Sequence, residues 1–143
     1  MSFLQSLNIS GSGLTAQRFR MDVISENIAN QDTTRTENGG PYRRKMVVLT
    51  TTNNFKNMMI QNLNEYEAGG VEVTEIIEDQ SEFKLVYNPE HPDADENGYV
   101  NMPNVDSLKE TVDMMEAYRA YQANVTALNT TKQMAVKALE IGR

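Results

Sequence analysis

The chain has 143 residues, a single His, no Cys and a net charge of −7. Without Cys it can form no disulfide framework, thiolate nucleophile or Cys-based metal site, and one His cannot make a His-pair zinc motif. The acidic balance disfavours nucleic-acid binding, because proteins that neutralise phosphates usually carry a basic face.

The first 31 residues predict an N-terminal helical arm. Leu7, Leu14, Met21 and Ile28 recur every seven residues, which is typical of a helix that packs along another helix. The Ser-Gly-Ser-Gly stretch at 10–13 weakens the pattern, since Gly costs about 1 kcal/mol of helix propensity against Ala. We expect the helix to be most secure over 14–29, with residues 1–9 as a separate, weaker segment.

Residues 32–104 predict a β-rich middle domain with loops. Turn signals separate runs that favour strands at 42–49, 71–78, 83–87 and 99–100. Residues 50–68 are rich in Thr and Asn and fit no element class. The basic cluster at 43–45 is expected either at a strand edge that resists unwanted pairing or against an acidic partner.

Residues 105–143 predict one long helix that pairs with the N-terminal arm. Asp106 is a plausible N-cap and Gly142 a natural stop. At 1.5 Å per residue the helix is roughly 55 Å long, which favours a coiled coil. One stammer, where three-residue steps repeat, interrupts its heptad seam around residues 115–121. The seam comprises Val105, Leu108, Val112, Met115, Tyr118, Tyr121, Val125, Leu128, Lys132, Ala135 and Leu139.

Several apolar residues lie off these two seams and predict a second contact surface that faces neighbouring copies. Burying such a side chain is worth about 1.5–3 kcal/mol, and leaving many exposed favours association. The residues are Ile9, Phe19, Val23, Met134, Val136 and Ile141.

The candidate chemical sites are weak. Residues 93–100 match the opening of an EF-hand loop, but position 12 is Asn104 rather than Glu, and Pro103 occupies the start of the exit helix. A polar Asn-Gly turn is the simpler interpretation. His91 is expected to be a surface residue. No spacing suggests a nucleophilic triad, a carboxylate dyad or a phosphate loop, so we expect no enzyme, cofactor, metal or small-molecule substrate.

No stretch of the sequence predicts a membrane span or a cleaved signal. No apolar run approaches 18 residues, and the first basic residue is Arg18. By the ordinary routes this favours a cytoplasmic protein.

Two motifs carry a resemblance to a known family. Residues 9–17 (ISGSGLTAQ) and 24–30 (ISENIAN) resemble the N-terminal signature of the bacterial flagellar rod and hook axial proteins, and 118–124 (YRAYQAN) with 128–130 (LNT) resembles the C-terminal one. In the middle, 40–43, 85–92, 98–100 and 102–105 are similar to the short proximal-rod subunits of that family. The resemblance covers roughly 120 residues and lapses at 50–68.

The resemblance implies a structural subunit whose two terminal helices pair into a coiled-coil layer around an axial channel. Its partners would be copies of itself, other rod subunits, the rod-base adaptor and the flagellar type III export apparatus, which would export it without a cleaved signal peptide. It would then lie in the basal body, within the cell envelope. The assembly residues would be Leu7, Leu14, Met21, Asn27, Ile28, Asn30, Tyr118, Tyr121, Gln122, Asn124, Val125, Leu128, Asn129 and Leu139.

Two other functions stay open at this point. One is a calcium- or ligand-responsive helical binding module built on residues 93–104. The other is a self-contained coiled-coil adaptor in the cytoplasm, which would form a finite oligomer.

Overall fold

Two long helices flank four short strands in the computed structural model, which describes residues 3–37, 39–52 and 69–141. This confirms the predicted fold class, mainly α with a small β-rich middle. The unassigned stretch lies outside the described residues from 53 to 68. In chain order the elements are α1 (Phe3–Ala29), β1 (Lys45–Thr51), β2 (Val71–Glu78), β3 (Lys84–Tyr87), β4 (Tyr99–Met102) and α2 (Ser107–Ile141).

The chain forms two compact units, each of which contains parts of both helices. Unit 1 comprises Met1–Phe19, Val48–Glu75 and Glu116–Arg143, and unit 2 comprises Arg20–Val47 and Ile76–Met115. The predicted division into 1–31, 32–104 and 105–143 follows the order of elements along the chain and stays a prediction.

Helix α1 runs unbroken through its two glycines, so the expectation of a separate segment over residues 1–9 is wrong. Contacts within unit 1 explain the difference. The Ser12 hydroxyl donates to the Ile9 carbonyl at 2.8 Å and accepts the N–H of Val71 at 3.0 Å. A Cβ on Gly13 would lie 3.1 Å from the Asn124 amide nitrogen. The small residues therefore admit close neighbours, and those contacts offset the low helix propensity of Gly.

The seven-residue period predicted for α1 is present, but the most buried face is a different one. Ala16, Val23, Ile24 and Asn27 are buried, whereas the predicted repeat from Leu7 to Ile28 is only partly buried. Val23 is therefore a core residue, and its assignment to an outer surface is wrong. Pattern counting missed this face because Ala16 and Asn27 carry no apolar signal, which leaves Val23 and Ile24 without a visible repeat.

Helix α2 begins at the predicted cap. The Asp106 carboxylate accepts the backbone N–H groups of Leu108 and Lys109 at 3.1 and 3.4 Å, which satisfies two of the free donors at a helix start. The described residues end at 141, so the predicted stop at Gly142 lies outside them.

Most of the less exposed positions of α2 form a row with steps of four and three residues and no stammer, and Asp113, Ala120 and Val125 lie beside it. The row comprises Glu110, Met114, Ala117, Tyr121, Asn124, Leu128, Thr131 and Ala135. The predicted seam contains a stammer because its first part follows apolar residues that lie on the exposed side of the helix. Leu108, Val112, Met115 and Tyr118 are instead exposed, at 75%, 52%, 49% and 52%.

The strands form two separate two-stranded sheets, β1 with β2 and β3 with β4. β2 has the predicted bounds, β1 begins three residues later than predicted, and β4 is two residues longer. β3 and β4 are antiparallel, and Val86 faces Val100, which is buried. Within the described ranges, no helix is both long enough and apolar enough to cross a membrane.

Candidate assembly interface

A buried polar cluster at the centre of unit 2 organises the residues around Asn27. Its amide nitrogen donates to the Lys45 carbonyl at 2.9 Å and to Glu110 Oε2 at 3.0 Å. Its amide oxygen accepts the Lys45 N–H at 2.9 Å and the Tyr42 hydroxyl at 3.0 Å. Asn27 is 1% exposed, and these four bonds use its full hydrogen-bonding capacity. It thereby joins α1 to the start of β1 and to α2.

The carboxylate of Glu110 is fully buried and paired with Arg44. Arg44 Nε donates to Glu110 Oε1 at 2.6 Å, and the same guanidinium donates to Asp113 Oδ2 at 3.3 Å. Asp79 adds a longer ion pair, 3.9 Å from Arg44. A buried charge of this kind is tolerated when it is paired and hydrogen-bonded, so Arg44 and Glu110 depend on each other.

This pairing corrects the expectation for the basic cluster at 43–45. Arg44 contacts acidic residues of its own chain, and Lys45 pairs with Glu26. The guanidinium of Arg43 lies over the Phe83 ring, 4.3 Å from its centroid. The three side chains therefore contact groups of their own chain rather than a separate acidic partner, and a role in keeping the strand edge from pairing stays a prediction.

Two ionisable groups of unit 2 respond to their surroundings. Burial, followed by the negative charges of Glu26, Glu110 and Glu78, raises the pKa of Tyr42 well above its ordinary value. The N–H and hydroxyl of Ser81 hold the pKa of Asp79 below its ordinary value. Tyr42 bonds to Asn27 and Asp79 pairs with Arg44, so both shifted groups belong to the polar network of unit 2.

The candidate calcium loop is a closed turn. Asp95 Oδ1 accepts the N–H groups of Asn97 and Tyr99 at 2.9 and 2.8 Å, and Asp93 accepts the Thr34 hydroxyl. His91 accepts the Asp93 N–H. Among the described residues, no three His, Asp or Glu side chains gather as a metal site would require. The polar-turn interpretation accounts for these contacts.

The predicted assembly residues of α1 lie on two faces. Asn27 is committed to the buried cluster, and the Asn30 side chain donates to the Glu26 carbonyl. Leu14 lies two positions before the buried Ala16, and Met21 lies two positions before the buried Val23. Two helical positions correspond to about 200° of rotation, so these side chains point away from the buried face.

Helix α2 shows the same two-sided arrangement. Its exposed Leu108, Val112 and Met115 each precede a less exposed position of α2 by two residues. Of the predicted set, Tyr121, Asn124, Val125 and Leu128 are partly buried, while Tyr118, Gln122, Asn129 and Leu139 are exposed. The Tyr118 hydroxyl accepts a bond from Gln122 at 2.9 Å on the outer side. Each helix therefore has one face that packs within the chain and another whose apolar side chains are partly or largely exposed to solvent.

The comparisons with known proteins cover these same helices. The family described as flagella basal body rod protein matches residues 7–35, and the flagellar basal body rod FlgEFG protein C-terminal family matches 96–141. A flagellar basal-body rod protein FlgC of Bacillus subtilis is 53% identical over 150 aligned positions that cover both chains fully. The chain belongs to the FlgC family. FlgC of Borreliella burgdorferi is 46% identical, over 99% of this chain and 98% of the relative.

Other relatives agree in length as well as in sequence. FlgC of Escherichia coli O157:H7 is 44% identical over 143 positions and covers both chains fully. Membership in the FlgC family supports a structural subunit of the flagellar basal-body rod, with other flagellar components as partners, and speaks against an enzyme.

Sequence reasoning missed the buried charges of unit 2. The sequence shows Glu110 only as an acidic residue near the start of the predicted helix, and Arg44 only as one member of the basic cluster at 43–45. Their positions gave one available signal, because Glu110 lies exactly where a four-and-three spacing from Ala117 and Asn124 requires an inner position. A charged residue at a core position calls for a buried partner of opposite sign.

Proposed function

We propose that this chain builds the flagellar rod by self-assembly through the outer faces of α1 and α2. In the assembled rod the paired helices form the wall of the axial channel, and the rod transmits rotation as a drive shaft. The family relationship supports the rod role. The observation that carries the assembly mechanism is the exposed apolar stripe of α2, defined as Leu108, Val112, Met115 and Tyr118.

The stripe is placed for helix packing. Leu108, Val112 and Met115 follow steps of four and three residues, the spacing by which one helix presents knobs to another. All four side chains are about half exposed or more, and fully burying one is worth about 1.5–3 kcal/mol. Several buried at once favour association strongly enough to offset part of its entropic cost.

The outer face of α1 supplies the complementary helix in this proposal. Leu7, Leu14, Met21 and Ile28 keep a strict seven-residue spacing and are only partly buried. Polar residues beside them would fix the register, since amides at an interface need specific partners. The polar candidates with side chains not fully buried are Asn30, Gln122, Asn124 and Asn129.

Location and partners complete the proposal. The subunit would leave the cytoplasm through the flagellar type III apparatus without a cleaved signal and assemble in the periplasmic part of the basal body. It would contact copies of itself, other rod subunits and the rod-base adaptor. The match of residues 7–35 to a rod-protein family supports this placement.

A single charged substitution on the stripe tests the proposal. Val112→Asp places a carboxylate at a position that is 52% exposed, so the free subunit should keep its helical content. We expect it to be absent from purified basal bodies and its host strain to be non-motile. Thr111→Asp adds the same charge to the neighbouring exposed position and is the matched control. Normal incorporation of Val112→Asp would show that the stripe is not an assembly surface.

A further inference from the structure

The β3–β4 hairpin has one face that the chain leaves uncovered. Leu85 and Tyr87 alternate with Val86 along β3, and Tyr87 is paired directly with Tyr99. Leu85, Tyr87 and Tyr99 are 68%, 65% and 45% exposed, while on the other face Val86 is 45% exposed and Val100 is 1% exposed. The two rings meet edge to face with centroids 5.3 Å apart. A rigid aromatic pair of this kind suits a binding surface, because little side-chain entropy is lost on contact.

The turn that joins these strands is acidic. Residues 88–98 contain four carboxylates and no Lys or Arg. Gly98 has φ +78°, and a Cβ at this position would lie 3.0 Å from a carbon of the Tyr87 ring, so the end of the acidic turn passes close to the aromatic pair. Its acidic residues are Glu90, Asp93, Asp95 and Glu96, all exposed.

The C-terminal half of α2 has the opposite charge. Residues 117–139 contain three basic side chains and no Asp or Glu. A depression of about 450 Å³ lies on this part of the helix, lined by Asn129, Lys132, Gln133, Val136 and Lys137. Lys137 also pairs with Glu140 at 2.6 Å, but both side chains stay more than half exposed. Val136, at 48% exposed, supplies apolar contact between the two lysines.

We propose that the outer face of the β3–β4 hairpin of one copy docks on the 129–137 face of α2 of a second copy. Leu85 and Tyr87 would contact Val136, while Glu90 and Glu96 would approach Lys132 and Lys137. The proposal rests on the self-assembly proposed above and names a contact other than helix against helix.

Charge and symmetry point to a second copy as the occupant. Both surfaces belong to this chain, both are exposed in the single copy, and their charges are opposite, which favours encounter and fixes orientation. The two surfaces differ from each other, so the contact is head to tail. A head-to-tail contact repeats from copy to copy and, when its rotation does not close a ring, generates a helical assembly.

A disulfide between copies tests the contact directly, because the chain contains no native Cys. The full-length double variant Tyr87→Cys with Val136→Cys is oxidised at high protein concentration after circular dichroism has verified its helical content. We expect a ladder of species at multiples of the chain mass. The control, Tyr87→Cys with Leu4→Cys, uses a position that is 67% exposed against 48% for Val136 and that belongs to neither proposed surface, so random collision would favour the control.

Charge reversal provides a second test of the docking contact. Lys132→Glu with Lys137→Glu should lower cross-linking by about tenfold through like-charge repulsion, and adding Glu90→Lys with Glu96→Lys should restore it. A ladder no stronger than that of the control, or one insensitive to both reversals, would overturn the docking contact. The docking contact would also be overturned if the double-Cys variant, in purified basal bodies, formed a disulfide only with a chain of different mass. Since incorporation into basal bodies is measured separately with Val112→Asp, failure here leaves the rod function standing.

Discussion

Replacing Asn27 by Leu removes the centre of the buried cluster in unit 2 while nearly preserving side-chain volume. Four hydrogen bonds of 2.9–3.0 Å are lost. A net hydrogen bond is worth about 1 kcal/mol, and one to a charged group about 1.5–3 kcal/mol. The partners left behind include the Lys45 N–H and the buried Glu110 carboxylate. We therefore expect the free energy of unfolding to fall by about 4 kcal/mol.

That loss is a large fraction of the stability of a domain, which is about 5–15 kcal/mol. Urea unfolding of the purified chain, followed by circular dichroism, measures it. Asn8→Ala, at an exposed position of the same helix, is the control and should change stability by less than about 0.5 kcal/mol. If Asn27→Leu unfolds within about 0.5 kcal/mol of that control, the buried cluster does not hold unit 2 together.

Two further changes test the packing of α1 and the burial of Tyr42. Gly11→Ala should stabilise the chain by about 0.5–1 kcal/mol, because a Cβ there meets nothing within 4 Å; Gly13→Ala should lack this gain, because its Cβ would press on Asn124. Thermal unfolding separates the two variants, and equal gains would contradict the close approach. Because burial and Glu26 raise the pKa of Tyr42, the unfolded chain loses this proton first as pH rises. The free energy of unfolding should therefore fall above pH of about 10, and part of that fall should vanish in Tyr42→Phe. Identical alkaline slopes in the two proteins would refute the raised pKa.

The sequence predicts the spacing of the apolar repeat in the helices, but it does not predict which face of each helix is buried. A seven-residue repeat is visible at Leu14 and Met21 because Leu and Met are apolar, and it correctly predicts a long helix. The buried face contains Ala16 and Asn27, which pattern counting treats as neutral or polar. Small residues are buried where helices approach closely, and polar residues are buried where hydrogen-bond partners are present. Burial of either kind therefore depends on contacts that only the fold supplies.

The candidate interface also has one feature that the sequence predicts and another that only the structure shows. The exposed stripe of α2 was included in the predicted seam because its residues are apolar, and it could be named without a structure. That it faces outward could not be predicted, since this depends on Glu110 occupying the inner position with Arg44 as its partner. The short strands were located well, because β-branched runs between turn signals are local patterns.

Cryo-electron microscopy of purified basal bodies, with this chain traced in the rod, tests the central claim most directly. The account predicts that the outer stripe of α2, from Leu108 to Tyr118, is buried against helix α1 of a neighbouring subunit. A rod in which this chain is present but the stripe stays in contact with solvent would contradict it.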